Sequence, residues 1–350
     1  MAALDGMVVL DLTRLLPGAA ATQALRREGA EVIKIERPGE GDYARTLSPE
    51  VFARTNAGKK SVALDLKRDG GRRALMRLAR GADVLIESFR PGAMERLGLG
   101  YGALAAVNER LVYASLSGYG QTGEDAGMAG HDINYIAMGG LLGLNRCAGN
   151  RPAIPGVQIA DLAGGAMQAV LKIALALLER TRTGRGAWVD VSMTEGVRGL
   201  LEIPVAEYLE RGRSKEMLSG RYACYNVYEA KDGRWLAVGA LEAKFWSELC
   251  TRVGCPELAE VQYDEARQEE AKARLGRVFA ARDAEAWFED LREFDCCVTP
   301  VRTVAEVASG MRPDEDGSVP GIGEHTEEVL RAAEYSDGEL AEMRAEGAIA

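Results

Sequence analysis

Only two histidines occur in the 350-residue chain, and one of them, His131, sits in the polar run Ala129-Gly130-His131-Asp132-Ile133-Asn134-Tyr135. Imidazole, with an ordinary pKa of about 6.5, can both take and give a proton near neutrality. That run is therefore the first candidate for acid-base chemistry, although a lone histidine after a loop is more often a cap or a hydrogen-bonded surface residue. A second set is cationic: Arg37-Pro38-Gly39, Asn56-Ala57-Gly58-Lys59-Lys60, Lys67, and Ser88-Phe89-Arg90-Pro91-Gly92 with Arg96. These cations flank predicted strands and are read as clustering at the carboxyl ends, the edge where open α/β sheets bind ligands. Any one of them alone reads as a solvated charge. As a set, in a chain of formal charge -10, they point to phosphates.

The motif Gly118-Tyr119-Gly120-Gln121-Thr122-Gly123 is a literal G-x-G-x-x-G after a strand. A dinucleotide fingerprint leads straight into a helix whose N-terminus holds the pyrophosphate. Here a further loop, Glu124 to Gly130, follows, and the first strand-to-helix turn, Leu15-Leu16-Pro17-Gly18, lacks the glycine pattern. A nicotinamide cofactor is not expected. No G-x-S-x-G, P-loop or H-E-x-x-H occurs, and two distant histidines with no paired cysteines argue against a metal site.

The elements that must position these residues alternate strand and helix, the pattern of a parallel sheet wrapped by helices. Strands are expected at residues 7–12, 31–35, 61–65, 83–87, 111–116 and 188–193, with helices at 19–27 and 69–79. Four or five strands of this kind make a Rossmann-like sheet. Ala160 to Arg180 carries apolar residues at helical spacing and reads as a long, mostly buried helix stopped near Gly184, and Thr194 to Leu209 as another helix. Beyond Arg213 the units shorten: strands at 225–228 and 235–239, then helices to about Glu293. The expected organisation is a large α/β domain over 1–200 with 320–350, a small α+β domain over 215–310, and linkers at 200–215 and 310–320. Pro313 to Gly321 reads as a loop.

The hydrophobic share of 47% and charged share of 27% are those of a globular chain, and a pI near 5.1 argues against a general nucleic-acid binder. No signal peptide is read at the start and no membrane span is expected. The six cysteines show no C-x-x-C spacing and are taken as reduced thiols of a cytoplasmic protein, most of them core residues.

Several of these segments together carry a family likeness. Leu16-Pro17-Gly18, Ile35-Glu36-Arg37-Pro38-Gly39, Lys59 to Lys67, Phe89-Arg90-Pro91-Gly92, Glu95 to Gly100, Ser117 to Gly123, Gly130-His131-Asp132-Ile133-Asn134-Tyr135, Ala160-Asp161-Leu162-Ala163-Gly164-Gly165, Val238 to Glu242, Cys297-Val298-Thr299-Pro300-Val301 and Gly323-Glu324-His325-Thr326 span nearly the whole chain. On them the chain resembles the class III CoA-transferase family, of the CaiB/BaiF type, and within it the α-methylacyl-CoA racemase branch.

The resemblance implies a large Rossmann-like domain and a small one, two chains interlocked as rings in a homodimer, and an acyl-CoA thioester as substrate. No cofactor beyond its CoA moiety is implied. Arg37, Lys67, Arg90 and Arg96 match positions that contact the nucleotide and phosphates, and Asp132 and Tyr135 are counted with them. Asp161 matches the aspartate that transferases use as nucleophile, and His131 the histidine that racemases add. Glu242, in Ala240-Leu241-Glu242, looks like the carboxylate that sets the imidazole tautomer, and His325 is read as structural. The leading expectation is a racemase or epimerase of 2-methylacyl-CoA thioesters acting by α-proton transfer. A CoA-transferase with Asp161 as nucleophile, and a catalytically silent CoA-thioester binder, are the alternatives. Two departures stand out: Leu218-Ser219-Gly220-Arg221-Tyr222-Ala223-Cys224-Tyr225 replaces a glycine-glycine-alanine-proline run before paired tyrosines, and the connection from Val304 to Gly323 is short for the family.

Overall fold

The structure is a computed structural model that describes residues 2–147, 150–212, 217–310 and 317–349. Two compact units divide it, Met1–Glu202 with Asp314–Ala350 and Ile203–Pro313. The first is built on six strands, β1 (Val8–Leu12), β2 (Glu31–Glu36), β3 (Lys60–Ala63), β4 (Val84–Glu87), β5 (Val112–Ser117) and β6 (Trp188–Ser192). All pair in parallel in the order β3-β2-β1-β4-β5-β6. This is the doubly wound Rossmann order, whose direction of winding reverses between β1 and β4. Near-continuous apolar strands such as Val84-Leu85-Ile86 are what burial on both faces demands.

The principal helices of this unit are α1 (Leu15–Arg27), α2 (Asp69–Ala79), α3 (Asp132–Met138), α4 (Gln168–Thr183) and α5 (Met193–Gly199). One core, with Leu10, Leu85 and Tyr113 from the sheet, takes in Leu75 of α2 and Leu330 and Leu340 from the C-terminal segment. The other, with Val9, Ile86 and Ala114, takes in Ala21 and Leu25 of α1 and Ile173 of α4. His325 ties the C-terminal segment to β3, its N–H donating to the Ser61 carbonyl (2.9 Å) and its Nδ1 accepting the Ser61 N–H (3.2 Å).

Several expectations need correction. The stretch from Ala160 is not one uniform helix: Ala160–Met167 is wound as a π-helix before α4 begins. Nor is it mostly buried, because Met167, Leu171, Leu175 and Leu178 are exposed along its outer side. Ala160–Thr183 is also long and apolar enough to cross a membrane by length and composition, against the sequence reading; here its other side fills the core with Ala160, Ala169, Ile173 and Leu177. The helix expected over Thr194 to Leu209 breaks at Leu200-Leu201 into α5 and α6 (Glu202–Arg211), so much of the stretch taken as a linker is helical. Residues 213–216 and 311–316, within the expected linkers and loop, lie outside the described residues.

The second unit pairs β7 (Tyr225–Glu229), β8 (Trp235–Gly239) and β9 (Val298–Pro300) in an antiparallel sheet. Helices including α7 (Ala243–Arg252) and α8 (Gln268–Phe279) cover it around Trp246, Leu275 and Phe279. Four of the six cysteines, Cys224, Cys250, Cys255 and Cys296, are buried, all in this core.

Candidate active site

The carboxyl ends of β1, β4 and β5 open into a cavity of about 510 Å³ whose lining includes Arg14, Ser88, Phe89, Arg90, His131 and Asp161. His131 and Asp161, 30 residues apart in the chain, thus face one space. His131 is the N-cap of α3, with extended backbone; its N–H donates to the Asn134 side-chain oxygen (3.1 Å) and its carbonyl accepts the Asn134 N–H (2.8 Å). Main-chain groups thus close the helix end, and the imidazole side chain lines the cavity.

Asp161 sits in the first turn of the π-helix, and its own N–H donates to Asp132 Oδ1 at 2.9 Å. Burial raises its carboxyl to about 6, the Asp132 charge adds to the rise, and His131 pulls the other way. That value lies in the range where imidazoles ordinarily titrate. The wide turn itself is packed by small residues: a Cβ on Gly196 of α5 would fall 2.1 Å from the Gly164 carbonyl oxygen, so the two backbones are in direct contact.

Tyr135 stands behind the pair as a strut. Its hydroxyl donates to the Gly130 carbonyl and its ring meets Tyr119 edge-on at 5.1 Å. Burial, with the charges of Asp161, Tyr119 and Asp132 adding to it, pushes its phenol up to about 12. A Cβ on Gly118 would lie 2.2 Å from the Tyr135 ring, and one on Gly130 2.7 Å from it. Gly118 and Gly130 therefore make room for a tyrosine.

The residues expected on CoA divide. Arg90 lines the cavity with His131, whereas Arg37 and Lys67 line a second cavity of about 310 Å³ beside it, with Arg37 ion-paired to Glu40 at 2.7 Å. Arg96 is exposed at the end of the short helix Ala93–Arg96 and lines neither, and the Asp132 carboxylate is engaged by the Asp161 N–H. Lys59 and Lys60 do not belong to the carboxyl edge, because the residue before a strand of a parallel sheet and the strand's first residue lie toward its other end. Lys59 is buried, 3.0 Å from Asp11 and 2.7 Å from the Thr22 hydroxyl, and Lys60 pairs with Glu31 and Glu328. Glu242 belongs to the second unit, at the N-cap of α7. Gln262 Nε2 donates to the Ala240 (3.1 Å) and Leu241 (2.8 Å) carbonyls just before it.

Two residues of the site were not anticipated. Arg14 directly follows β1 and lines both cavities; it was visible as one more cation after a strand. Glu87, the last residue of β4, is buried and accepts the Phe89 N–H at 2.8 Å, which holds the Ser88–Pro91 turn. Burial raises its carboxyl to about 7 against the pull of Ser115 and the Phe89 N–H. In the sequence it looked like an ordinary strand-end glutamate.

Fold and site together define an α/β protein in which His131 and Asp161 face one cavity, with a second, cation-lined cavity beside it, at the switch point of the sheet. The profile of CoA-transferase family III matches residues 4–338, and the chain belongs to that family of CoA-transferases and racemases. It is 35% identical to the human protein named alpha-methylacyl-CoA racemase, over 98% of this chain and 97% of that one. It is 36% identical to the acetyl-CoA:oxalate CoA-transferase of Acetobacter aceti, over 87% of this chain and 82% of that one. Among solved structures, a CAIB/BAIF family protein from Brucella suis superposes with a TM-score of 0.81 at 28% identity, over 95% of this chain and 99% of that one.

Proposed function

We propose that the protein racemises or epimerises 2-methylacyl-CoA thioesters by removing and returning the proton at the carbon next to the thioester. The observation that carries this reading is the pairing of His131 with an Asp161 carboxyl raised to about 6 in one cavity. Inverting that carbon needs a base on one face and an acid on the other, of nearly matched basicity. Asp161 and His131 take these roles in turn, one abstracting while the other donates, and exchange them for the opposite enantiomer. The amides of Asp132 and Ile133, at the start of α3, have no hydrogen-bond partner among the described residues and are the donors assigned to the enolate oxygen. Glu242 enters as the carboxylate that fixes the imidazole tautomer, by family likeness alone. The CoA handle is assigned to Arg37, Lys67, Arg90 and Arg96. A homodimer is part of the reading, and the exposed apolar side of α4 is the kind of surface that association would bury.

A second reading, a CoA-transferase with Asp161 as nucleophile, is supported by the similarity to transferases at an identity like that to the racemase. The two place opposite demands on His131. In deuterated buffer, a single enantiomer of a 2-methylacyl-CoA should gain α-deuterium and lose configuration, and the His131→Ala variant should no longer lose configuration. Transfer of CoA to an added carboxylic acid, surviving in that variant and without α-exchange in the native protein, would establish the transferase instead.

A further inference from the structure

Arg14 and Phe89 are the two residues shared by the linings of the cleft's two cavities. The Arg14 guanidinium lies 5.0 Å from the ring centre of Tyr43 and 5.3 Å from that of Phe89, and its Nη1 donates to the Tyr43 hydroxyl at 2.9 Å. No carboxylate of the described residues lies within ion-pair distance of it. The cation is thus held by aromatic faces, with no neutralising carboxylate among the described residues.

The turn that presents it is braced from below. Leu15, the next residue, takes φ +62, a left-handed conformation that a leucine adopts only when its surroundings impose it. Its N–H donates to Asp42 Oδ1 at 3.0 Å, and the other oxygen of Asp42 lies 2.9 Å from Lys34 Nζ. Lys34 Nζ in turn donates to the Thr13 carbonyl at 3.0 Å, and the Arg14 N–H donates to Ser88 Oγ at 3.1 Å. Lys34 and Asp42 are both buried. A buried ion pair thus grips the turn on both sides of Arg14.

We propose that Arg14 is an anion-binding residue that takes the diphosphate of a CoA thioester where the molecule passes from one cavity to the other, with Lys34 and Asp42 as its positioning pair. This rests on the acyl-CoA reading above. The order of groups along CoA is phosphoadenosine, diphosphate, pantetheine arm, thioester. The order along the cleft is Arg37 and Lys67, then Arg14, then His131 and Asp161. The group at the seam therefore meets the diphosphate. A guanidinium whose face is covered by rings keeps its edge N–H groups for two phosphate oxygens, a match that a lysine ammonium does not reproduce.

The test compares Arg14→Met and Arg14→Lys with the native protein. Calorimetry gives Kd for CoA, and kcat and KM are measured on one acyl group carried by CoA or by pantetheine alone, which lacks the diphosphate and nucleotide. R14M should weaken CoA roughly ten- to a hundredfold, the effect of losing a charge-assisted contact. The ratio of kcat/KM for the CoA thioester to that for the pantetheine thioester should fall by the same factor, with R14K between. Asp42→Asn should raise KM for the CoA thioester more than it lowers kcat. Equal losses on both thioesters would place Arg14 against the acyl group, and unchanged CoA binding in R14M would leave it no part in recognition; either result overturns the inference alone. A native protein that binds no CoA would overturn the acyl-CoA reading as well, and that arm is read first.

Discussion

Replacing Asp161 by asparagine should make the protein more stable, and only at neutral to alkaline pH. Burial and the Asp132 charge move the carboxyl from 3.8 to about 6, so the folded protein holds that proton more tightly than the unfolded chain does. For a raised carboxyl the folded state is unpenalised below pH 3.8, loses stability as pH rises from there to about 6, and carries the full penalty above it. A shift of about two pKa units corresponds to about 3 kcal/mol, and the solvent that still reaches this side chain reduces that to about 1–2 kcal/mol. Asparagine cannot ionise and keeps the shape, while the main-chain bond to Asp132 does not involve the side chain that changes. Urea denaturation of the native protein and D161N at pH 4 and pH 8 measures it. A gain of about 1–2 kcal/mol at pH 8 that vanishes at pH 4 is expected. Equal effects at both pH values, or a loss at pH 8, would refute the claim that the site holds a destabilised carboxylate.

The acid-base pair should give kcat/KM for racemisation a bell-shaped pH dependence centred near neutrality, because the pair must hold one proton, neither two nor none; a nucleophilic Asp161 would instead give a rise through about pH 6 to a plateau. Gly118→Ala should cost about 1–3 kcal/mol, read as a lower unfolding midpoint, because its methyl group would lie 2.2 Å from the Tyr135 ring; in a Tyr135→Ala background the same substitution should cost much less. Asp11→Asn should destabilise by about 3–5 kcal/mol in urea denaturation at pH 7, since it strips the charge shared by the buried Lys34 and Lys59. Burial works against the Asp11 charge, but the two lysines and the Thr13 and Thr22 hydroxyls hold its carboxyl far below the usual range, so its stabilisation is present above pH 3.8 and fades as the solution is acidified.

What could be read from the sequence was whatever depends on local periodicity. The apolar runs of β1 to β6 announced a buried parallel sheet, and two of the cations placed after strands, Arg37 and Arg90, do line cavities at its carboxyl edge. What depends on where a side chain ends up was hidden. Lys59 precedes its strand and threads under α1 to Asp11 and the Ala19 carbonyl, a path that no spacing rule reports. The apolar outer side of α4 made the helix look mostly buried, although the same residues lie exposed on this chain. The bringing together of His131 and Asp161 was legible only through family likeness. The chain between them includes an isolated bridge, Arg146 to Pro152, rather than a periodic element that would set where Asp161 arrives.

Part of the strain in the large unit lies at the end of the sheet where chemistry is proposed. Leu15 is forced left-handed beside β1, and the carboxyls of Glu87 and Asp161 are held near 7 and 6. Tyr113 Oη, Ser117 Oγ, Gln121 Nε2 and Asp190 Oδ1, on β5, β6 and the loop that follows β5, are buried without a partner among the described residues. Each is a cost that packing alone would remove, and each persists only because a rigid sheet core over-determines the local geometry. The amino side of the same sheet shows the opposite economy, with Lys60 paired twice and Asp83 accepting from Val8 and Arg180. An acidic chain that pairs Lys60 at one edge, and among the described residues gives Arg14 no carboxylate at the other, leaves there the positive charge that the proposed diphosphate contact would use.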